Sequence, residues 1–133
     1  MICFFSKFSL GVYIKLFLRE LHKYMNFELE KQWRSLQHKL GEKMGESPEL
    51  DSILFVIGLQ ELNMDFKNLT KDQKVEVMHI GLCVVFTPQG YYKPKGRDKD
   101  GWIHFESLKK FPNLNSDEQE EIIKEAIIEY YNL

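Results

Sequence analysis

The segments SPELDSILFVIGLQEL, residues 47–62, and TKDQKVEVMHIGLCVVF, residues 70–86, decide the fold of this chain. Each begins with polar residues that start helices and continues into residues that are apolar on nearly every side of a helical wheel. Ser47 followed by proline is typical of an N-cap and a first helical residue, and Thr70 with Gln73 has the spacing of a capping box. We therefore expect two buried helices.

A glycine interrupts the apolar centre of each helix, Gly58 in the first and Gly81 in the second. Glycine inside a helix costs about 1 kcal/mol relative to alanine, and a close approach of two backbones would explain why it is tolerated. We expect the helices to cross at these glycines and to end near Asn63 and Phe86. The β-branched content of residues 82–87 leaves a strand as the alternative there, but continuity with the capped start favours helix.

A further helix is expected upstream of this pair, over about residues 26–45. Its apolar side chains follow helical spacing in one narrow stripe and are Leu29, Trp33, Leu36 and Leu40. Asn26 is the expected N-cap and Gly45 the expected end. The pattern predicts a surface helix with one buried face.

Downstream, Ser116 and Gln119 have capping-box spacing and predict the start of the last helix. Its buried stripe is expected to contain Ile123, Ile127 and Tyr130. The acidic residues of this helix are expected to form a solvated face. A brief helical turn is expected around Ser107, before the proline at position 112.

Between the buried pair and the last helix, residues 87–106 are too rich in turn formers for a regular helix. The segment is either an open loop or a short hairpin that pairs residues 91–93 with residues 102–105. The predicted fold class is therefore mainly α, a compact bundle of about four helices with one irregular loop or short hairpin at 87–106.

Residues 1–24 differ in composition from the rest of the chain. Fifteen of these 24 residues are apolar, and the segment carries a charge of +3, from Lys7, Lys15, Arg19 and Lys23 against Glu20. The recurring cations exclude a membrane span, and the lack of a leading basic residue and of a small-residue cleavage site excludes a secretory signal. We expect an N-terminal extension at 1–24 and a single helical domain at 25–133.

Three interpretations of residues 1–24 remain open. In the first, the native protein starts at Met25 and the segment lies upstream of its start codon. In the second, the segment is an extra helix packed on the domain. In the third, it is an amphipathic helix on a membrane surface. The last fits the helical spacing of Leu10, Ile14, Phe17, Leu18 and Leu21. Contact with a membrane is expected only under this last interpretation.

The bulk composition narrows the classes of function. The net charge is −2, so the +3 of residues 1–24 leaves −5 on residues 25–133, which lack the basic field that nucleic-acid binding requires. Cys3 and Cys83 lie in apolar surroundings and are expected to be reduced thiols, which favours a cytoplasmic location. No nucleic-acid partner and no cofactor are expected.

Two patterns have part of a metal-site spacing. DKDGWI, residues 98–103, matches the middle of an EF-hand calcium loop, but the first loop position would be Gly96 and the last Ser107, neither of which is a carboxylate. His79 and Cys83 are four residues apart, but two ligands make a weak site, and His79 is expected to be a core residue. No metal is expected, and a surface turn is the preferred interpretation of DKDG.

The strongest candidate for a functional surface is the glycine-punctuated segment 87–106, because binding loops on a rigid scaffold combine aromatic and charged groups. Its candidate binding residues are Tyr91, Tyr92, Arg97, Asp98, Asp100, Trp102 and His104. We expect a small protein that acts through this segment on an unidentified protein partner. The alternative for the aromatic side chains is that they close the open end of the bundle.

An alternative function is a small-molecule or metal-dependent enzyme with Asp98, Asp100, His104 and His79 around a pocket at the same place. An enzyme requires these groups to converge in a concave site, whereas a contact surface would expose the aromatic residues. Whether the protein is an enzyme stays open at the level of sequence.

Several stretches resemble a group of short uncharacterised bacterial proteins. They are residues 78–92, which begin with MHIG and end with GYY, GRDKDGWIH at 96–104 and residues 122–131. The resemblance covers about residues 26–133 and implies a stand-alone small domain that begins near Met25. It implies no activity, cofactor or site.

Overall fold

A computed structural model describes residues 10–63 and 67–132 of the chain, so the prediction for Cys3 lies outside the described residues. Within them, four helices and one antiparallel hairpin follow in the order α1 Leu10–Met44, α2 Leu50–Leu62, α3 Lys71–Val85, β1 Tyr92–Arg97, β2 Ile103–Ser107 and α4 Ser116–Asn132. The fold is mainly α, as predicted. The segment predicted as a loop or a short hairpin is a hairpin, but its strands are longer than the predicted 91–93 and 102–105 and extend to Arg97 and Ser107.

Helix α1 is continuous, which corrects the expected helix start at Asn26. Asn26 lies inside the helix, and its side-chain amide contacts His22 Nε2 at 3.3 Å instead of capping a helix. Residues 12–40 contain no glycine or proline, so the helix propagates, and an interior asparagine costs less than about 1 kcal/mol. No helix within the described residues is both long enough and apolar enough to cross a membrane.

The two halves of α1 differ in burial. Leu29 and Trp33 are buried in the bundle, whereas ten large apolar side chains between residues 10 and 27 are 41–72% exposed. These are Leu10, Val12, Ile14, Leu16, Phe17, Leu18, Leu21, Tyr24, Met25 and Phe27. The first half of α1 therefore projects from the bundle instead of packing on it.

Helices α2 and α3 cross at the two predicted glycines. A Cβ atom added at Gly58 would overlap the backbone carbonyl oxygen of Val77, and one added at Gly81 would overlap that of Leu54. The two backbones are thus in direct contact, and a larger residue at either glycine would push the helices apart.

The main core joins all four helices. Its buried members are Trp33, Ile53, Leu54, Ile57, Val85, Phe86, Ala126 and Ile127. Lys124 Nζ of α4 lies 2.8 Å from Glu30 Oε1, 3.4 Å from Glu120 Oε1 and 5.6 Å from the centre of the Trp33 ring. Burial lowers the pKa of Lys124, but the two carboxylates outweigh it and raise the pKa overall. This cation therefore helps to join α4 to α1.

The predicted N-terminal cap is present at α3 but not at α2. At α3 the predicted capping box is confirmed, because Thr70 Oγ1 accepts from Gln73 N and Gln73 Oε1 accepts from Thr70 N. Helix α2 does not use the predicted N-cap at Ser47. Its N-cap is Glu49, which makes no side-chain capping hydrogen bond. Pro48 is buried before the helix, and its carbonyl accepts a hydrogen bond from Gln37 at 2.9 Å.

Helix α4 starts where expected, but the predicted capping box at Ser116 and Gln119 is wrong, because the N-cap residue is Asn115, one position earlier. Asn115 Oδ1 accepts from Glu118 N at 2.9 Å, which is the N-cap geometry, and the Gln119 amide donates to the carbonyl of Leu114 at 2.9 Å. As predicted, the side chains that pack in the core include Ile123, Ile127 and Tyr130.

The hairpin pairs Tyr92 with Ser107 and Arg97 with Ile103, with a register shift at residues 94–96. Ser107 therefore has extended backbone at the end of β2, and the helical turn predicted around it is wrong. Burial alternates from Ile103 to Glu106 of β2, whereas every residue of β1 after Tyr92 is exposed. The exposed residues called outward here are Lys93, Lys95, His104 and Glu106.

Gly58→Ala and Gly81→Ala are each expected to lower the free energy of unfolding by about 2 kcal/mol or more, because the new methyl group meets backbone atoms. Gly11→Ala, at an exposed position of α1, is the matched control and should be neutral or stabilising by up to about 1 kcal/mol. Chemical denaturation followed by circular dichroism gives the three values. A neutral effect at both crossing glycines would contradict the backbone contact.

Candidate functional site

The candidate site is the hairpin with its flanking turns, residues 87–111. Tyr91, Tyr92 and Trp102 are half-buried rather than fully exposed. Tyr91 and Tyr92 pack against the main core, and Trp102 packs against a second cluster, in which Leu62, Val77 and Ile80 are buried. The aromatic residues thus help to close the end of the bundle and leave part of each ring for a partner.

A ring cluster fixes the base of the hairpin. The Tyr91 and Phe111 rings stack with centroids 4.2 Å apart and planes 8° apart, and Phe86 meets both rings edge-on. Lys109 Nζ lies 4.3 Å from the centre of the Tyr91 ring, and Leu108 N donates to the Tyr91 carbonyl at 2.9 Å. The chain therefore enters and leaves the hairpin through one packed cluster.

Arg97 anchors the other end of the hairpin to α2. Its Nη1 donates to the carbonyls of Leu62 at 2.7 Å and Gly101 at 2.9 Å, and its Nη2 donates to the carbonyl of Glu61 at 2.9 Å. The last carbonyls of a helix lack partners within the helix and lie at the negative end of its dipole. Arg97, predicted as a binding residue, therefore caps α2.

Asp98 organises the tip of the hairpin. Its Oδ1 accepts from the backbone N–H groups of Asp100 at 2.9 Å and Trp102 at 3.1 Å, and its Oδ2 lies 2.9 Å from His104 Nε2. The hydrogen bond with His104 lowers the pKa of Asp98, desolvation opposes it, and the two backbone donors lower it further. The tip presents a carboxylate–imidazole pair on an exposed turn.

No group of three or more His, Cys, Asp or Glu side chains that could hold a metal ion occurs among the described residues. Cys83 Sγ and His79 Nε2 are 3.6 Å apart. His79 is exposed instead of lying in the core as predicted, because the buried face of α3 runs through Val77, Ile80 and Gly81. Cys83 is buried, and desolvation raises the pKa of its thiol to about 11, so the thiol stays protonated at neutral pH.

One mainly apolar groove borders the hairpin strands, and a second lies beside Phe111. The first groove, of about 370 Å³, is lined by residues that include Ile103, Phe105, Glu61 and Tyr130. The Tyr130 hydroxyl donates to Glu61 Oε1 at 2.9 Å. The other, of about 280 Å³, lies between Phe111 and α4. Neither groove is lined by Asp98, Asp100 or His104.

Sequence reasoning misses three residues that shape the site, Glu61, Phe111 and Tyr130. Tyr130 and Glu61 are 69 positions apart, and no local spacing rule connects them. Phe111 carried a usable signal, because a phenylalanine in the polar stretch 106–119 needs apolar partners elsewhere in the fold.

No family model, no curated protein and no solved structure matches this chain. The resemblance to short bacterial proteins therefore stays a prediction.

Arg97→Gln is expected to lower the free energy of unfolding by about 1–3 kcal/mol, because charge-assisted hydrogen bonds to the end of α2 are lost. Arg97→Lys should recover only part of this loss, since an ammonium cannot replace the guanidinium fork. Lys95→Gln on the same strand is the matched control, and it should change stability by less than about 0.5 kcal/mol. Denaturant unfolding measures all three, and equal effects at positions 95 and 97 would contradict the anchoring role.

The Asp98 turn predicts an acid sensitivity. The pKa of Asp98 is lower in the folded chain than its ordinary value, so its stabilising contribution is present above the unfolded pKa of about 3.9 and is lost as the pH falls through the folded pKa. The thermal midpoints of wild type and Asp98→Asn should therefore differ at pH values above about 5 and converge as the carboxylate is protonated. A difference that stays constant down to acid pH would argue against this role.

Proposed function

We propose that the protein acts through contacts with another protein and that the outward face of the hairpin carries the contact surface. The observation that carries this proposal is the anchoring of an exposed hairpin at both ends, by the Tyr91–Phe111 stack at its base and by Arg97 near its tip. A surface that is held in place before binding loses little conformational entropy when a partner docks.

Two of the four outward side chains are lysines, and a third lysine lies at the tip between Asp98 and Asp100. Lys93, Lys95 and Lys99 are exposed, and Glu106 lies opposite Lys93 in the strand register. Complementary potentials on two protein surfaces speed association and fix the register of docking. We infer a partner with an acidic docking surface, and the charge of −5 on residues 25–133 argues against nucleic acid as that partner.

The aromatic residues have a smaller part in this contact than sequence reasoning suggests. Tyr92 and Trp102 direct part of their surface into the bundle and keep the remainder accessible. Amphipathic rings of this kind supply contact area at a low cost in conformational entropy. They would form an apolar margin beside the lysines.

The competing function is an enzyme that uses Asp98, Asp100 and His104. The observation in its favour is the 2.9 Å distance between Asp98 Oδ2 and His104 Nε2, an arrangement in which a carboxylate can orient a general base. However, both carboxylate oxygens of Asp98 already take part in the turn, and neither groove beside the hairpin includes these residues. The contact function therefore has the better support.

The proposal includes a reducing bacterial cytoplasm as the location. Cys83 supports the reducing compartment, because it is a free and buried thiol whose raised pKa keeps it protonated. The bacterial origin depends on the resemblance of residues 26–133 to short bacterial proteins.

Charge reversal on the hairpin tests the proposal. A protein cross-linked to the tagged full chain in cells should be recovered at least about tenfold less with Lys93→Glu/Lys95→Glu, because two favourable charge pairs become repulsive. Lys71→Glu/Lys74→Glu makes the same charge change at exposed positions of α3 and should leave recovery unchanged. Cross-linking followed by mass spectrometry gives the yields.

Equal recovery with both lysine variants would contradict the contact surface. An activity that Asp98→Asn abolishes and Lys93→Glu/Lys95→Glu preserves would instead favour the enzyme.

A further inference from the structure

Residues 10–27 of α1, here called the arm, carry a continuous apolar stripe on one side. At about 100° per residue, the stripe spans about 120° of the helix circumference. Its members are 41–72% exposed and are Leu10, Ile14, Phe17, Leu18, Leu21, Tyr24 and Met25. The first charged residue in line with the stripe is Glu28, where the helix reaches the bundle.

The opposite side of the arm carries three cations, with the apolar Val12 and Leu16 beside them. Lys15, Arg19 and Lys23 follow one another every four residues, and all three are exposed. Glu20 is the single acidic residue of the arm, so its three cations leave a net charge of +2. Glu20 Oε1 lies 3.5 Å from Lys23 Nζ, and an exposed ion pair of this kind contributes little to stability.

The bundle does not use the stripe. Helix α1 docks through a different side, formed by Leu29, Trp33, Leu36 and Leu40. The centre of this side lies about 90° around the helix from the centre of the stripe. The stripe therefore points past the core, and its exposed apolar surface fits a partner outside the bundle.

We propose that the arm lies flat on the surface of a lipid bilayer that contains anionic phospholipids. Helices with Leu and Phe on one side and Lys and Arg on the other bind in the plane of the membrane interface. The stripe enters the boundary between headgroups and acyl chains, with the Tyr24 hydroxyl at headgroup level. The cations lie within about 10 Å of the surface, which is close enough to be attracted at physiological salt.

A second copy of the chain is the competing occupant of the stripe. Two arms paired stripe to stripe would bury their apolar side chains, but the pairing would leave the cations on the far side of each arm without a counter-charge. A bilayer with anionic headgroups uses both features of the arm. Charge complementarity therefore favours the bilayer, and this proposal is independent of the hairpin and its protein partner.

Co-sedimentation of the full chain with phosphatidylcholine vesicles, prepared with and without phosphatidylserine, tests the proposal. We expect binding to the vesicles that contain phosphatidylserine. Phe17→Gln/Leu21→Gln changes two exposed stripe residues without changing charge and should weaken binding at least about tenfold. Lys15→Gln/Arg19→Gln should also weaken binding about tenfold or more.

The matched control is Val12→Gln/Leu16→Gln, which alters two exposed apolar residues of the arm that lie off the stripe. This variant should bind within about threefold of wild type, because it leaves the stripe intact. Circular dichroism and thermal melting establish that each variant is folded, as expected for exposed positions.

Several outcomes would overturn the proposal. They are a chain that stays in the supernatant with both vesicle types, equal binding with and without phosphatidylserine, and equal losses in the stripe and off-stripe variants. A chain that dimerises in analytical ultracentrifugation, becomes monomeric with Phe17→Gln/Leu21→Gln and binds no vesicles would assign the stripe to self-association instead.

Discussion

The direct contact of the α2 and α3 backbones at Gly58 and Gly81 is the constraint on which the rest of the structure depends. It brings the end of α2 beside the middle of α3, so that Leu62, Val77 and Ile80 form one buried cluster. The hairpin rests on this cluster, and Arg97 reaches the free carbonyls at the end of α2. A wider separation of the two helices would remove both the floor of the hairpin and its anchoring point.

The two faces of the hairpin differ in the contacts that they make within the molecule. Inward and terminal groups are used within the molecule, since Arg97 caps α2 and Asp98 closes the turn. The outward lysines Lys93 and Lys95 have no such structural role among the described contacts. Arg97 and Asp98, which the sequence predicts as binding residues, thus make hydrogen bonds within the molecule.

Sequence patterns predicted those features that depend on neighbours along the chain. The capping box at Thr70 and Gln73 and the paired glycines of α2 and α3 follow from local geometry, and both are confirmed. The role of Arg97 could not be predicted, because its acceptors Glu61 and Leu62 lie 35 or 36 positions away. Only the tertiary fold brings these groups together.

The N-cap at Asn26 failed for a different reason. A capping residue is a weak signal when no glycine or proline stops the preceding turn, and residues 12–40 contain neither. In the same way, the half-burial of Tyr91 and Trp102 depends on Phe111 and on the second cluster, which no spacing along the chain reveals. Periodicity identifies the elements, but the partners of each side chain depend on how those elements pack.

The continuity of α1 also fixes the orientation of the arm relative to the bundle. Because α1 is one continuous helix from Leu10 to Met44, the direction in which the arm faces fixes the direction in which the bundle faces. A surface that holds the arm would therefore also set the orientation of the hairpin. Deleting one residue between the two halves would turn one against the other by about 100° and shorten their separation by only about 1.5 Å. The number of residues between the two halves of α1 therefore affects their relative rotation far more than their separation.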